Sequence, residues 1–264
     1  MFQLTPSGSA VESIKGDNAF RVCFSDPNQG VGSADYFAEN FPNAKVGVVY
    51  NSSDVYSNGI FKTFKKEAAA KGVNVVATEA FTKDSAQDFT VQIQKMKEAG
   101  ADLVFLPFYA QEASLFLTQA DKAGLDVQFF GCDGLDGVID QLGSNAQLAE
   151  GVMLLTPYAA DSDNPESKKF TEAYKAKYNG EVPNQFAADA YDAMYIIKAA
   201  AEKAGVTPDM SVSDICDKMV ETFTSGDFTF DGLTGSGMTW ATTGEVSKEP
   251  KGMVIKDGAY AGMD

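Results

Sequence analysis

Few residues of this sequence could perform covalent catalysis. The 264 residues include no histidine, and the three cysteines, Cys23, Cys132 and Cys216, show no CxxC or CxxxC spacing. This composition disfavours a zinc site and removes the usual general base of Ser–His and Cys–His catalysis. An odd number of cysteines defines no disulfide framework, so all three are predicted to be free. Asp54 and Asp133 could form a carboxylate pair, but nothing sets them apart as catalytic.

Cofactor and nucleic-acid sites are equally unsupported. The loops after Tyr50 and Pro107 lack both GxGxxG and the GxxxxGK motif followed by Ser or Thr, so no nucleotide or phosphate site is predicted. A net charge of −16 and a pI near 4.4 disfavour contacts with nucleic-acid phosphates, which need clustered Lys and Arg. No apolar run reaches the roughly 18 residues that span a bilayer. The sequence therefore favours binding of a small molecule, with no metal, no cofactor and no catalytic step.

Any binding residues must be positioned by a series of alternating strands and helices in the middle of the chain. The β-branched run Lys45–Tyr50 predicts a parallel strand buried on both faces, and Asn58–Lys71 has the apolar spacing of a helix. Glycines just beyond the helices supply the left-handed cap geometry. The remaining elements of the series are Val73–Ala77, Asp88–Glu98, Asp102–Pro107, Gln111–Ala123 and Val127–Phe130. Right-handed crossovers turn such a series into a parallel sheet with helices on both faces, so the fold class is α/β.

The flanking segments do not complete this unit. Two short strands stand in front of it, at Phe2–Thr5 and Phe20–Phe24, and the region 228–260 is glycine-rich and β-like, with a hairpin around Asp257-Gly258. Three helices follow the unit, at Ser167–Tyr178, Gln185–Lys203 and Ser211–Phe223. The simplest arrangement pairs the front strands with the back helices in a second lobe. We therefore predict lobe one as residues 1–27 plus 158–229 and lobe two as 28–157 plus 230–264.

Six segments that occur in a fixed order resemble one known family. They are Thr5–Ser9 (TPSGS), Phe20–Gly30 (FRVCFSDPNQG), Val46–Tyr50 with Asp54–Gly59 (DVYSNG), Phe130–Gly134 (FGCDG), Glu150–Val152 (EGV) and Ala190–Ala193 (AYDA). In this order they are similar to the branched-chain amino-acid (Leu/Ile/Val) binding proteins of ABC importers, which have the type I periplasmic-binding fold of two lobes. The resemblance covers essentially the whole chain.

The same resemblance implies that lobe one is incomplete. Family members carry a further stretch before the loop at Thr5, including a serine-containing loop that grips the ligand's α-carboxylate. Met1 is followed by Phe-Gln-Leu-Thr-Pro-Ser, without the basic and apolar regions of a signal peptide, so a signal segment is predicted to be absent from this chain. An incomplete lobe leaves open sheet edges, which a homo-oligomer could cover.

A free amino acid is a zwitterion, so a dry cleft must offer donors to its carboxylate and an acceptor to its ammonium. Ser7 and Ser9 lie in a loop at the end of a strand, where open α/β sheets bind ligands, and could hold both groups. Asp133 follows the last strand of the series and matches a Glu or Asp of the family, which makes it the predicted ammonium partner. By resemblance, Tyr56 and Tyr109 are the two aromatic residues that close over the ligand.

Two phenylalanines could shape the pocket for the ligand's side chain. Phe186 stands at a family position that touches the ligand, and Phe108 follows a strand; for both, packing in a core is the alternative. By contrast, Asp26 and Gln29 are predicted to organise the crossover between lobes without contacting the ligand. Trp240, the sole tryptophan, is predicted to be a core residue.

The resulting prediction is an extracytoplasmic solute-binding protein, periplasmic or lipid-anchored, that captures an aliphatic amino acid and delivers it unchanged to an ABC permease. Two alternatives stay open. One is a cytoplasmic ligand-sensing regulator of the same fold, although no helix-turn-helix precedes the fold here. The other is a truncated chain that no longer binds ligand. An enzyme of flavodoxin-like or Rossmann type lacks any supporting motif.

Overall fold

Nine strands and eight α-helices make up the regular structure in the part of the chain that the computed structural model describes, residues 1–160, 162–248 and 251–263. In chain order they are β1 (Gln3–Thr5), β2 (Ala19–Arg21), α1 (Asp26–Asn40), β3 (Val46–Asn51), α2 (Val55–Lys71), β4 (Val75–Phe81), α3 (Thr90–Ala99), β5 (Leu103–Leu106), α4 (Ala110–Lys122), β6 (Gln128–Gly131), α5 (Val138–Leu142), β7 (Met153–Thr156), α6 (Pro165–Lys177), α7 (Gln185–Lys203), α8 (Val212–Thr224), β8 (Lys251–Lys256) and β9 (Ala259–Gly262).

The chain divides into two compact units. The first comprises Met1–Ser25 and Pro157–Glu249, and the second comprises Asp26–Thr156 and Pro250–Asp264. Each unit is therefore built from two separate stretches of sequence, and neither contains a helix long and apolar enough to cross a membrane in its described residues.

The second unit holds a seven-stranded sheet in the order β4-β3-β5-β6-β7-β8-β9. Its first five strands are parallel, whereas β8 pairs antiparallel with β7 and β9 antiparallel with β8. Both faces of this sheet are buried under helices. Successive residues of a strand point to opposite faces, and accordingly Val48 packs in one apolar cluster and Val49 in the other. The predicted α/β fold, with a parallel sheet flanked by helices, is confirmed.

The sequence predicted most elements of this unit and missed three of them. Helix α1 begins inside the segment Phe20–Gly30, which was interpreted as a crossover, and was not predicted; nor were helix α5 and the strand Met153–Thr156. Helix α1 begins with Asp26-Pro27, and proline fits the first turn of a helix because its missing N–H has no helical partner there. Gly72 and Gly100 close α2 and α3 in the left-handed conformation, with φ of 76° and 64°, as predicted.

The first unit pairs β1 with β2 in a parallel two-stranded sheet and packs them against the late helices. Its core joins Phe20 of β2 to Ile196 of α7 and Phe223 of α8. Trp240 is buried in the same core, as predicted, and its Nε1 donates to the carbonyl of Arg21 at 2.8 Å.

The assignment of residues 230–264 to lobe two needs correction for residues 230–248. This segment belongs to the first unit, where two antiparallel bridges, Phe230 with Met238 and Trp240 with Val246, shape it. The reason is burial: the side chains of Met238, Trp240 and Val246 fill the core around Phe20. Only the hairpin that follows, β8 and β9, extends the sheet of the second unit.

Candidate functional site

Polar side chains of the second unit gather where three parallel strands end. Asp54 follows β3 and caps helix α2 by accepting from the amide of Ser57 at 2.8 Å. Tyr109 follows β5 and immediately precedes α4, and Asp133 follows β6 and opens a short 3-10 helix, Asp133–Leu135. Since the carboxyl ends of parallel strands share one edge, this edge is where open α/β sheets bind ligands.

Tyr56 and Asp133 form a buried hydrogen-bonded pair at this edge. The Tyr56 hydroxyl donates to Oδ1 of Asp133 at 2.5 Å and accepts from the backbone amide of Gly134 at 2.8 Å. Both residues are almost fully buried. Glycine at 134 leaves room for the Tyr56 hydroxyl, because a Cβ there would stand 2.7 Å from that hydroxyl and 3.1 Å from the carbonyl of Phe108. The sequence thus folds a carboxylate, a phenol and a glycine into one fixed group.

Tyr109 covers this pair. Its ring stacks on that of Tyr56, with centroids 4.7 Å apart and planes 20° apart, and 44% of its surface stays exposed. Burial raises the pKa of both phenols above the ordinary value, and nearby carboxylates raise it further: Asp133 for Tyr56, and Asp54, then Asp133, for Tyr109. Both hydroxyls are therefore protonated at neutral pH, and Tyr109 presents an aromatic face in a field of negative charge.

Helix α1 contributes two residues to the same edge, which the sequence did not predict as site residues. Oε1 of Gln29 accepts from the backbone amide of Asp133 at 3.0 Å, and the hydroxyl of Ser33 lies 3.9 Å from Sγ of Cys132. Gln29 and Ser33 are four residues apart, so they share one face of the helix. No local signal identifies them, because their partners Asp133 and Cys132 lie 104 and 99 positions away in the sequence.

The placement of Phe108 corrects one sequence prediction. Its ring is 1% exposed and packs edge-on against Phe81, with Phe89 and Phe116 nearby. The side chain belongs to the core of the second unit, which was the stated alternative, and it presents no surface to a ligand.

The two serines belong to the first unit, in a loop that Arg21 holds. Nη1 of Arg21 donates to the carbonyls of Gly8, at 3.0 Å, and Ser9, while Nη2 donates to that of Ala10 at 2.9 Å. Arg21 is fully buried. Ser7 is exposed and Ser9 is half-buried on this anchored loop. The sequence identified the loop but not the arginine that fixes its backbone.

Phe186 also lies in the first unit, as the second residue of α7. The helix start is fixed by Asn184, whose side chain accepts from the amide of Ala187 at 3.1 Å. Phe186 is half-buried, next to the buried Gln185.

Three of the seven predicted residues thus come into contact, namely Tyr56, Tyr109 and Asp133. Ser7, Ser9 and Phe186 stand on the first unit. Across the described residues 1–160, 162–248 and 251–263, no group of three or more Cys, Asp or Glu side chains could hold a metal ion. The contacting group offers a negative charge, phenolic hydroxyls and an aromatic face, which suits recognition of a cationic, partly apolar molecule.

Known proteins resemble this chain over most of its length. The Leu-, Ile-, Val-, Thr- and Ala-binding protein of Pseudomonas aeruginosa is 32% identical over 208 residues, which are 78% of this chain and 54% of that protein. Among solved structures, the isoleucine complex of the branched-chain amino-acid transporter substrate-binding protein LivJ from Streptococcus pneumoniae has a TM-score of 0.82 at 27% identity. It covers 97% of this chain and 70% of that one.

A second solved structure, the leucine-binding protein LivK of Thermotoga maritima, also has a TM-score of 0.82, at 25% identity, and covers 99% of this chain and 71% of that one. The chain spans about half the length of the curated relatives it matches. The family described as periplasmic binding protein matches residues 2–259, so this chain belongs to the periplasmic binding protein family.

Proposed function

We propose that this chain is the ligand-capturing part of an extracytoplasmic solute-binding protein that delivers a free aliphatic amino acid to an ABC permease. The observation that carries the proposal is the buried Tyr56–Asp133 pair beneath the half-exposed ring of Tyr109. In this proposal Asp133 receives the ligand's ammonium group, and the Tyr109 ring covers its apolar atoms.

The negative charge of Asp133 is the reason for proposing an amino acid as the ligand. A carboxylate that is almost fully buried is costly unless a positive group or several donors compensate it. Tyr56 is one partner of this carboxylate, and the ammonium group of an amino acid is a ligand group that can form a charge-assisted hydrogen bond with it. A ligand that carried only a carboxylate would instead be repelled by Asp133 and Asp54, the carboxylates that act on Tyr109.

The relatives support the same ligand class. The Pseudomonas aeruginosa protein is named for binding leucine, isoleucine, valine, threonine and alanine, and the Streptococcus pneumoniae structure contains isoleucine. Ser7 and Ser9 are proposed to hold the polar groups of the amino acid, and Phe186 its side chain. Extracytoplasmic location, the permease partner and self-association through the first unit are parts of the same proposal.

A thermal-shift screen of the twenty amino acids and common aromatic acids tests the function. A ligand at 100 times its dissociation constant stabilises the folded state by ~2.7 kcal/mol, so an aliphatic amino acid should raise the Tm measurably. Removing the negative charge with Asp133→Asn should weaken that ligand about 10- to 100-fold, as expected for a hydrogen bond to a charged group. Asp136→Asn is the matched control, since Asp136 is also buried and lies three residues further on.

Three outcomes separate the possibilities. An aliphatic amino acid that stabilises the wild type and D136N equally, and D133N clearly less, supports the proposal. Equal stabilisation of D133N contradicts the role of Asp133. If no amino acid raises the Tm of this chain but one raises the Tm of a version extended upstream at the gene, the chain is a truncated form that does not bind. If no amino acid raises the Tm of either, the proposed function is refuted.

A further inference from the structure

Gln29 is a fully buried amide on helix α1 that is only half satisfied. Its Oε1 accepts from the backbone amide of Asp133 at 3.0 Å, whereas its Nε2 has no hydrogen-bond partner among the residues that the structure describes. An unpaired buried donor destabilises a fold. An apolar side chain of similar length, such as methionine, would avoid that cost, so what the amide offers at this position is the contact with Asp133.

That contact fixes the start of the segment that carries the candidate carboxylate. Asp133 is the first residue of the short helix Asp133–Leu135, and the first amides of a helix have no partner within it. Gln29 supplies the missing acceptor. Because a backbone amide is held, the position of the Asp133 Cα is set independently of its side chain.

Tyr56 fixes the same residue from the other side. Its hydroxyl donates to the Asp133 carboxylate and accepts from the amide of Gly134. Backbone and side chain of Asp133 are therefore anchored by different elements, α1 through Gln29 and α2 through Tyr56. A carboxylate anchored in this way is held in place before a ligand arrives, which reduces the entropy lost on binding.

We propose that Gln29 is a positioning residue that holds Asp133 in place for the ammonium group of the ligand, without contacting the ligand itself. The inference rests on the proposed function, in which Asp133 is the ammonium partner. It assigns to the segment Phe20–Gly30 a direct part in building the site, beyond organising the crossover between lobes.

Amide hydrogen exchange tests the contact without any ligand. In Gln29→Met the amide of Asp133 should exchange about five- to tenfold faster, the factor expected from losing one hydrogen bond. The matched control is Gln92→Met: Gln92 is a buried amide of the same unit, bonded to the carbonyl of Ala80 at 2.9 Å and likewise left with one unpaired atom. Q92M should leave the Asp133 amide unchanged.

Gln29→Leu removes the acceptor in the same way without adding a charge, and it keeps the test decisive if Q29M does not fold. Unchanged exchange of the Asp133 amide in Q29M or Q29L, relative to Q92M, would overturn the proposal.

Binding selectivity separates positioning from general weakening of the fold. The probes are leucine and 2-hydroxy-4-methylpentanoate, which differ only in the ammonium group. Q29M should reduce the preference for leucine about tenfold, while Q92M keeps it. An equal loss for both probes in Q29M would mean a structural role alone and overturn the proposal. If the wild type binds neither probe, the proposed function fails, and the exchange comparison still decides whether Gln29 orders Asp133.

Discussion

Replacing one glycine in the contact between α1 and α2 should destabilise the second unit despite improving helix propensity. Gly30 is buried in α1, and a Cβ added there would stand 2.5 Å from the carbonyl oxygen of Ile60 and 2.8 Å from the amide nitrogen of Phe64. Both are backbone atoms of α2, so no rotamer change can relieve the contact. The hydroxyl of Thr63 is closer still, at 2.0 Å, but it belongs to a side chain that can rotate.

The magnitude follows from two opposing terms. Overpacking a well-packed site costs about 1–3 kcal/mol, and two backbone obstacles place Gly30→Ala at the upper end. Alanine gains about 1 kcal/mol over glycine in a helix interior. The expected net loss in free energy of unfolding is therefore about 2 kcal/mol, or roughly 4–8 °C in Tm for a chain of this size.

Gly59→Ala is the matched control on the facing helix. The three atoms nearest to a Cβ at 59 all belong to the side chain of Asp26, and the nearest is at 3.5 Å, which is ordinary van der Waals contact. This variant should be stabilised by about 0.5–1 kcal/mol, because the propensity gain is unopposed. Urea denaturation followed by far-UV circular dichroism measures both. The sole tryptophan, Trp240, lies in the first unit, so its fluorescence does not report directly on this contact. G30A as stable as the wild type, or G59A as unstable as G30A, would refute the packing argument.

Two further predictions concern charges. Lys248→Met should lower the free energy of unfolding by about 3–5 kcal/mol, because the Lys248 Nζ lies 3.0 Å from Oδ1 of Asp189 and its loss leaves that buried carboxylate without its cation. Adding Asp189→Asn to K248M removes the buried charge and should recover most of this loss. Trp240 fluorescence in urea measures both variants, and a double variant as unstable as K248M would contradict the ion-pair explanation. Hydrogen bonds from the hydroxyl and then the amide of Thr90 lower the pKa of Asp88 below its ordinary value of 3.8. The ionised Asp88 therefore stabilises the fold fully above pH 3.8, and this stabilisation is lost as the pH falls through the lowered pKa. The Tm difference between wild type and Asp88→Ala should be constant from pH 6 to about 4 and shrink below; a difference that grows on acidification would contradict this sign.

The sequence predicted the central series of strands and helices because its signals are local. A buried parallel strand needs a short β-branched run, as in Lys45–Tyr50, and helix ends need a residue with positive φ, as at Gly72. Both requirements can be read within a few residues. Asp133 and Tyr109 were predicted as site residues from the family resemblance together with their places shortly after strands, two residues after β6 and three after β5.

Helix α1 was missed because local propensity and tertiary packing disagree there. Gly30 and Gly32 are poor helix formers, yet Gly30 lets the backbone of α2 approach closely. Gln29 could not be assigned for a different reason, which is that its partner Asp133 lies 104 positions away. The sequence of residues 230–248 has no strand or helix periodicity that would assign the segment to one unit. The segment belongs to the first unit because Met238 and Trp240 are buried in its core.

The pairing of β7 with β8 gives the order of synthesis a role in folding. Met153–Thr156 is released by the ribosome well before Lys251–Lys256, and the residues between them belong to the other unit. During that interval the edge of the nascent sheet has no strand beside it, and an unprotected edge can pair with another chain. The contact between β7 and β8 is also distant in sequence, which slows folding. While residues 157–250 are being translated, the β7 edge is therefore open to pairing with another chain, and the hairpin of β8 and β9 covers it once it has been synthesised.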